Sequence, residues 1–324
     1  MNYQSVSDLN QTIINWIPRL PKNIDLIVGI PRSGLLAANL LALHLNKPLT
    51  DVDGLIAGRL LSSGYRVQEA ISNNWLAEQR RVLILDDSIC SGKQMNEVKR
   101  NIASEKIIHS LTYAAVYATS ESKRSVDYFA KIIKMPRIFE WNIMHHAMLL
   151  RDSCMDIDGV LCEDPEDAEN DDGVKYEAFI TNAASVIIPT HAVGWLVTCR
   201  LEKYRVLTEQ WLYRHGVRYG HLEMLNLPNK EARISAGCHA SFKARVYSST
   251  GAVLFIESSC AQAREIVKIT GKPVFCYETR QMVLPGVMAK TIQEGSNFLK
   301  RLWWRHPIPR SIRRIKAGLK YISQ

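Results

Sequence analysis

Strand-length apolar runs alternate with helical patterns along nearly the whole chain of 324 residues, and the alternation stops and restarts near its middle. Such alternation builds parallel sheets covered by helices, because each crossover between parallel strands needs an element long enough to return across the sheet. The runs at 24–30, 82–85 and 111–117 read as strands, with helices at 35–45 and 96–102. The second series has strands at 153–157, 195–198 and 253–256 and a helix at 206–214 closed by Gly216. The expectation is an α/β chain of two domains, 1–147 and 148–294, each a mainly parallel sheet flanked by helices. A basic amphipathic tail follows at 295–324.

Charge and cysteine usage narrow the class. Lys and Arg number 41 against 32 Asp and Glu, but 295–324 holds eight basic residues and no acidic one, leaving 33 against 32 before it. A nearly neutral body argues against a nucleic-acid-binding face and for one local contact made by the tail. Apolar residues at 47% exclude a disordered chain. Seven cysteines without a CxxC pair read as free thiols in a reducing compartment. The N-terminus lacks a basic region followed by an apolar run, so no signal peptide is expected. The longest uncharged stretch, 178–199, is too polar to span a bilayer.

The segment VLILDDSICSGKQM, 82–95, is a buried strand, two adjacent acids and a turn of small residues at a helix start. Acids at the carboxyl end of a strand can hold vicinal hydroxyls of a ribose, while backbone N–H groups of the turn and Lys93 suit a phosphate. This segment resembles the phosphoribosyl-diphosphate signature of type I phosphoribosyltransferases. The resemblance implies that Asp86 and Asp87 hold the ribose hydroxyls and that Cys90, Ser91, Gly92, Lys93 and Gln94 wrap the 5-phosphate. The earlier segment VGIPRSGLLAA, 28–38, matches the family's diphosphate loop, with Arg32, Ser33 and Gly34 at the matching positions. The segment 59–66 falls where the family has its catalytic loop. Cys90 and Gln94 depart from the pattern of many base-using members, and no nucleobase-reading pattern follows Tyr117. Trp141, His145 and His146 read as packing as readily as recognition. Asp51 and Asp53 are conceivable bases, but turn residues are the plainer reading.

The segment SCMDIDGVLCEDP, from Ser153, presents Asp156 and Asp158 after a short apolar strand. Alternate residues at a strand end share a face, so both carboxylates can meet one Mg²⁺ and one phosphoryl group. One acid that attacks phosphorus and a second that protonates the leaving oxygen are what aspartyl-phosphate chemistry requires. This resembles the first motif of haloacid-dehalogenase-type phosphatases, which implies Asp156 as nucleophile and Asp158 as general acid and base. GWLVTCR then gives Thr198, SFKARVY gives Lys243 and VLFIESS gives Glu257, in the family's order. Thr198 would bond the phosphoryl oxygen, Lys243 would steady its charge, and Asp156, Asp158 and Glu257 would hold Mg²⁺. Lys230 is a rival for Lys243. Arg200 reads equally as a substrate contact and as a solvated surface residue. About 40 residues separate Asp158 from Thr198, leaving little room for a large cap and implying an open site.

On a helical projection of about 100° per residue, Ile312, Ile315, Leu319 and Ile322 share one arc, opposite Arg310, Arg313, Arg314, Lys316 and Lys320. That is the pattern of an in-plane helix on an anionic membrane surface, with Trp303 and Trp304 at headgroup depth. A helix docked on the protein body is the alternative. Together the parts resemble bifunctional enzymes that install ribofuranose in bacterial surface polysaccharides. The resemblance implies transfer of 5-phosphoribosyl from phosphoribosyl diphosphate to a lipid-linked oligosaccharide or other glycan, followed by removal of the 5-phosphate, at the inner face of the cytoplasmic membrane. Two other readings stand beside it: nucleobase salvage fused to a nucleotide phosphatase, and a non-catalytic phosphoribosyl-diphosphate sensor.

Overall fold

The computed structural model describes residues 1–61 and 75–286. Most of 59–66 and the whole of the basic tail lie outside them. The chain divides into two units, Met1–Ile143 and Met144–Gln324.

The first unit runs β1 (Asn2–Gln4), α1 (Val6–Trp16), β2 (Leu26–Gly29), α2 (Ser33–Leu45), β3 (Leu49–Asp51), α3 (Val52–Ile56), β4 (Arg81–Ser88), α4 (Lys93–Ala103), β5 (Ser110–Ala118), β6 (Tyr128–Ile132) and β7 (Arg137–Phe139). Five strands form one parallel sheet in the order β3-β2-β4-β5-β6, and β1 pairs with β7 apart from it. Successive side chains of a strand point to opposite faces, and the core is divided accordingly. Ile27, Leu83 and Leu85 pack with Leu9, Ile13 and Trp16 of α1 and Ala37, Ala38 and Leu41 of α2. Leu26, Val28, Val82 and Ile84 pack on the other face with Val52 and Leu55 of α3 and Met95, Val98 and Ile102 of α4. Helix α1 starts on a capping box in which Ser5 and Asp8 each bond the other's backbone N–H, and its spacing of Leu9, Ile13 and Trp16 makes one apolar face.

The second unit runs α5 (Ala147–Arg151), β8 (Ser153–Met155), α6 (Val174–Asn182), β9 (Val193–Leu201), α7 (Arg205–Arg214), β10 (Tyr219–Leu225), α8 (Lys230–Ala236), α9 (His239–Ser249), β11 (Leu254–Glu257), α10 (Cys260–Thr270), β12 (Val274–Cys276) and β13 (Gln281–Val283). Its sheet has the order β10-β9-β8-β11-β12-β13, parallel except for β13. No described helix is long and apolar enough to cross a membrane.

Both sheets reverse their strand order at one point. In the first unit β3 lies on one side of β2 and β4 on the other; in the second, β9 and β11 flank β8. Loops leaving the carboxyl ends of strands on either side of such a point diverge and open a crevice, where ligands of α/β sheets bind. The predicted motifs fall there in both units.

Candidate active sites

In the first unit the two predicted loops meet. Gly34 lies so close to the end of β4 that a Cβ there would stand 2.9 Å from Leu85 O and 3.0 Å from Asp86 Oδ1. Ser33 Oγ donates to Asp87 Oδ1 at 2.7 Å, and Gln94 Nε2 donates to Pro31 O at 3.1 Å. Helices α2 and α4 thus begin on either side of Asp86 and Asp87 and turn the positive ends of their dipoles toward one crevice, an arrangement suited to phosphate groups. Gly92, the cap of α4, sits at φ 71°, and a Cβ there would come within 2.5 Å of Ser125 Oγ, so the turn needs glycine. Cys90 is exposed, and Ser91 Oγ accepts from Lys93 N at 3.3 Å. Arg32 is the residue before α2, as the loop reading placed it.

Burial, followed by the charge of Asp87, pushes the Asp86 carboxyl up to about 8. Trp141 Nε1 donates to Asp87 Oδ2 at 2.8 Å, and Arg137 Nη2 donates to Ile89 O at 2.7 Å at the start of the phosphate turn. Phe139 stacks between Tyr117, at 5.4 Å, and Trp141, at 4.9 Å. Trp141 is therefore a partner of an acid at the site as well as a packing residue, and Arg137 was missed by sequence reasoning. The signal was the alternation of Arg137 and Phe139, which puts both side chains on one face of β7. His146 caps α5 by accepting from Leu149 N, and Asp51 caps α3 by accepting from Gly54 N at 2.6 Å. Asp51 is thus the last residue of β3 and the cap of α3 rather than a turn residue.

In the second unit the acids and the lysine converge at the carboxyl ends of β8 and β11. Lys243 Nζ, on α9, donates to Asp156 Oδ2 at 2.6 Å, to Glu257 Oε2 at 2.8 Å and to Gln262 Oε1 at 3.0 Å. Burial opposes the Lys243 ammonium, but Asp156 and Glu257 outweigh it and raise its pKa. Burial also raises Asp156, against the pull of Lys243 and with the repulsion of Glu257 and Asp158. Lys230, the rival lysine, bonds Asn170 O.

Two expectations need correction. Arg200 is neither solvated nor free for a substrate: it is fully buried and grips both oxygens of Asp158, with Nη2 at 2.6 Å and Nε at 3.1 Å. An arginine fork matches a carboxylate in this way, which explains its place in an apolar interior beside Phe179. Thr198 does not end its strand, because β9 continues to Leu201; Thr198 is fully buried, and its Oγ1 accepts from Arg200 N at 3.2 Å. The open site expected from the short connection has one wall. The connection from β8 to β9 supplies Asp164, Pro165, Asn170 and Tyr176 as walls of a cavity of about 150 Å³ that also reaches Asp156, Asp158 and Lys243. About 40 residues are too few for a separate cap domain, yet one helix and its flanks suffice to wall one side.

The chemistry of the donors fits Mg²⁺. Asp156, Asp158 and Glu257 offer only carboxylate oxygens, the ligands that a hard divalent cation selects, and a cation there would compete with Arg200 for both oxygens of Asp158 and with Lys243 for one oxygen each of Asp156 and Glu257.

Comparison with known proteins agrees with the first unit's geometry. The family described as phosphoribosyl transferase domain matches residues 2–148. This part of the chain is thus similar to a phosphoribosyl transferase domain. Among solved structures, the xanthine-guanine-hypoxanthine phosphoribosyltransferase of Helicobacter pylori is 16% identical, with a TM-score of 0.32, covering 44% of this chain and 92% of its own. A purine phosphoribosyltransferase of Pyrococcus horikoshii is 19% identical, with a TM-score of 0.33, covering 43% of this chain and 92% of its own. No curated protein matches the chain.

Proposed function

We propose that the chain transfers 5-phosphoribosyl from phosphoribosyl diphosphate to a sugar hydroxyl of a lipid-linked glycan and then removes the 5-phosphate, leaving ribofuranose in a surface polysaccharide. The observation that carries this reading is the second constellation, Asp156, Lys243 and Glu257 in mutual contact beside Asp158, in a chain whose other unit is similar to a phosphoribosyl transferase domain. A phosphoribosyl product leaves one phosphomonoester, and a haloacid-dehalogenase-type site is built to hydrolyse one.

In the first step Asp86 and Asp87 orient the ribose, the turn from Cys90 to Gln94 holds the 5-phosphate, and Arg32, Ser33 and Gly34 receive the diphosphate. Displacement of the α-diphosphate with inversion gives a β-ribofuranoside. In the second step Asp156 attacks phosphorus, Asp158 protonates the leaving oxygen, and Lys243 steadies the phosphoryl charge. Asp156, Asp158 and Glu257 would hold Mg²⁺, which supplies charge neutralisation at the phosphoryl group. Loss of the phosphate makes the sequence effectively irreversible. The basic tail would keep the chain on the anionic inner face of the membrane, where a lipid-linked acceptor lies.

The test is mass spectrometry of a synthetic alkyl-linked sugar incubated with phosphoribosyl diphosphate, Mg²⁺ and either the intact chain or Asp156→Asn. The acceptor should gain plain ribose with the intact chain and phosphoribose with the variant. Consumption of a free nucleobase in place of the sugar would replace this reading with salvage. Turnover of neither would replace it with ligand sensing.

A further inference from the structure

Cys260 and Cys276 take no part in the chemistry above, yet their sulfur atoms meet. Cys260 opens α10, directly after the segment that follows Glu257, and Cys276 closes β12, where the strand register sets it beside Glu257. Both are free thiols with their Sγ atoms 2.6 Å apart. Cys260 is half-exposed and also lies 3.2 Å from Thr279 Oγ1, whereas Cys276 is buried, with Ser258 O at 3.7 Å. The other buried thiols have different neighbours: Cys154 meets Thr250 Oγ1, and Cys162 meets Ile157 O and Asp158.

Glu278 stands close enough to make a three-ligand group with the two sulfurs. Three donors leave a tetrahedral zinc one ligand short of a closed structural site. Two sulfurs brought into direct contact can join as a disulfide without a change of fold.

We propose that Cys260 and Cys276 are an oxidation site at which a hydroperoxide forms an intramolecular disulfide. The Cys260 sulfur attacks a peroxide oxygen, the O–O bond breaks, and Cys260 becomes a sulfenic acid as the other oxygen leaves, with a proton, as water or alcohol. The Cys276 sulfur then attacks the Cys260 sulfur, the S–O bond breaks, and water departs. Two thiols give up two electrons and two protons, and the peroxide is reduced. Partial exposure of Cys260 admits the small oxidant, and burial of Cys276 reserves it for the second step. The new bond would tie the first turn of α10 to the end of β12 around the segment that holds Glu257, whose Oε1 accepts from Ser258 Oγ and Ser259 N at 3.3 and 3.2 Å. This inference does not depend on the phosphatase reading.

The experiment treats the full chain with hydrogen peroxide, blocks remaining thiols with iodoacetamide and maps non-reduced peptides by mass spectrometry. The expected result is one cross-linked pair containing Cys260 and Cys276, lighter by two hydrogens than the separate peptides. It should be reversed by dithiothreitol and be missing in both Cys276→Ser and Cys260→Ser; the half-exposed Cys260 gives a variant that keeps the buried packing. The oxidised chain should melt a few degrees higher than the reduced one, a shift that either variant removes. The proposal fails if Cys260 proceeds to sulfinic acid while Cys276 remains open to iodoacetamide, or if Cys260 pairs with another cysteine. Zinc carried by the purified chain and lost in Cys276→Ser would overturn it in favour of a metal site.

Discussion

A buried carboxylate and a buried ammonium illustrate how a site bears on stability. Asp86 has a pKa raised by burial and by Asp87 to about 8. A carboxyl whose folded pKa lies above its unfolded value contributes stability that is fully present below about pH 4 and is lost as the pH rises toward 8. Asp86→Asn should therefore match the parent in acid and exceed it by about 1–2 kcal/mol at pH 8 in urea denaturation, while losing affinity for phosphoribosyl diphosphate. A variant that is less stable than the parent at pH 8 would remove this account of Asp86. Lys243 is the opposite case, because it is the cation shared by Asp156 and Glu257. Lys243→Met should cost about 3–4 kcal/mol, since it strands two buried acids, and added Mg²⁺ should raise the melting temperature of the variant more than that of the parent. Equal responses to Mg²⁺ would argue that Asp156 and Glu257 do not meet the cation.

At the scale of elements, each site depends on how closely a helix start approaches a strand end. Ser33 and Gly34 open α2 directly against the end of β4. Gly34→Ala should push α2 away from Leu85 O and Asp86, with a cost of about 1–3 kcal/mol and a rise in KM for phosphoribosyl diphosphate larger than any fall in kcat. Steady-state kinetics with thermal melting separates the two effects; an unchanged KM would show that the approach is not needed for binding. In the second unit α9 brings Lys243 to β8 and β11 from outside the sheet, and α10 brings Gln262 to the same ammonium. The order of motifs along the chain named candidate residues but not these approaches, because helix and strand ends are placed by packing of their apolar faces.

For the whole molecule, charge is divided as unevenly as function. With 295–324 removed the chain keeps 33 basic and 32 acidic residues, so its attraction to an anionic surface should collapse. Each basic residue near such a surface contributes about 1 kcal/mol and is screened by salt. Cosedimentation with vesicles containing phosphatidylserine should be strong for the full chain at low salt, weak at high salt, and lost on deletion of 295–324. Binding that survives the deletion would assign the membrane contact to another surface.

The sequence by itself determined the α/β alternation and the position of the small-residue turns and ordered acids at strand ends, because strand period, turn chemistry and ordered acids are local properties. Asp86, Asp87, Gly34, Asp156, Lys243 and Glu257 were legible for that reason. Tertiary structure alone decided which strands lie side by side, and so which loops share a crevice. It turned Arg200 from a surface candidate into the buried partner of Asp158 and drew Trp141 to Asp87. It also set Cys260 against Cys276. These are pairings between residues far apart in the chain, and they depend on sheet order and on the burial that makes a charged group find its counterpart, neither of which a local pattern carries.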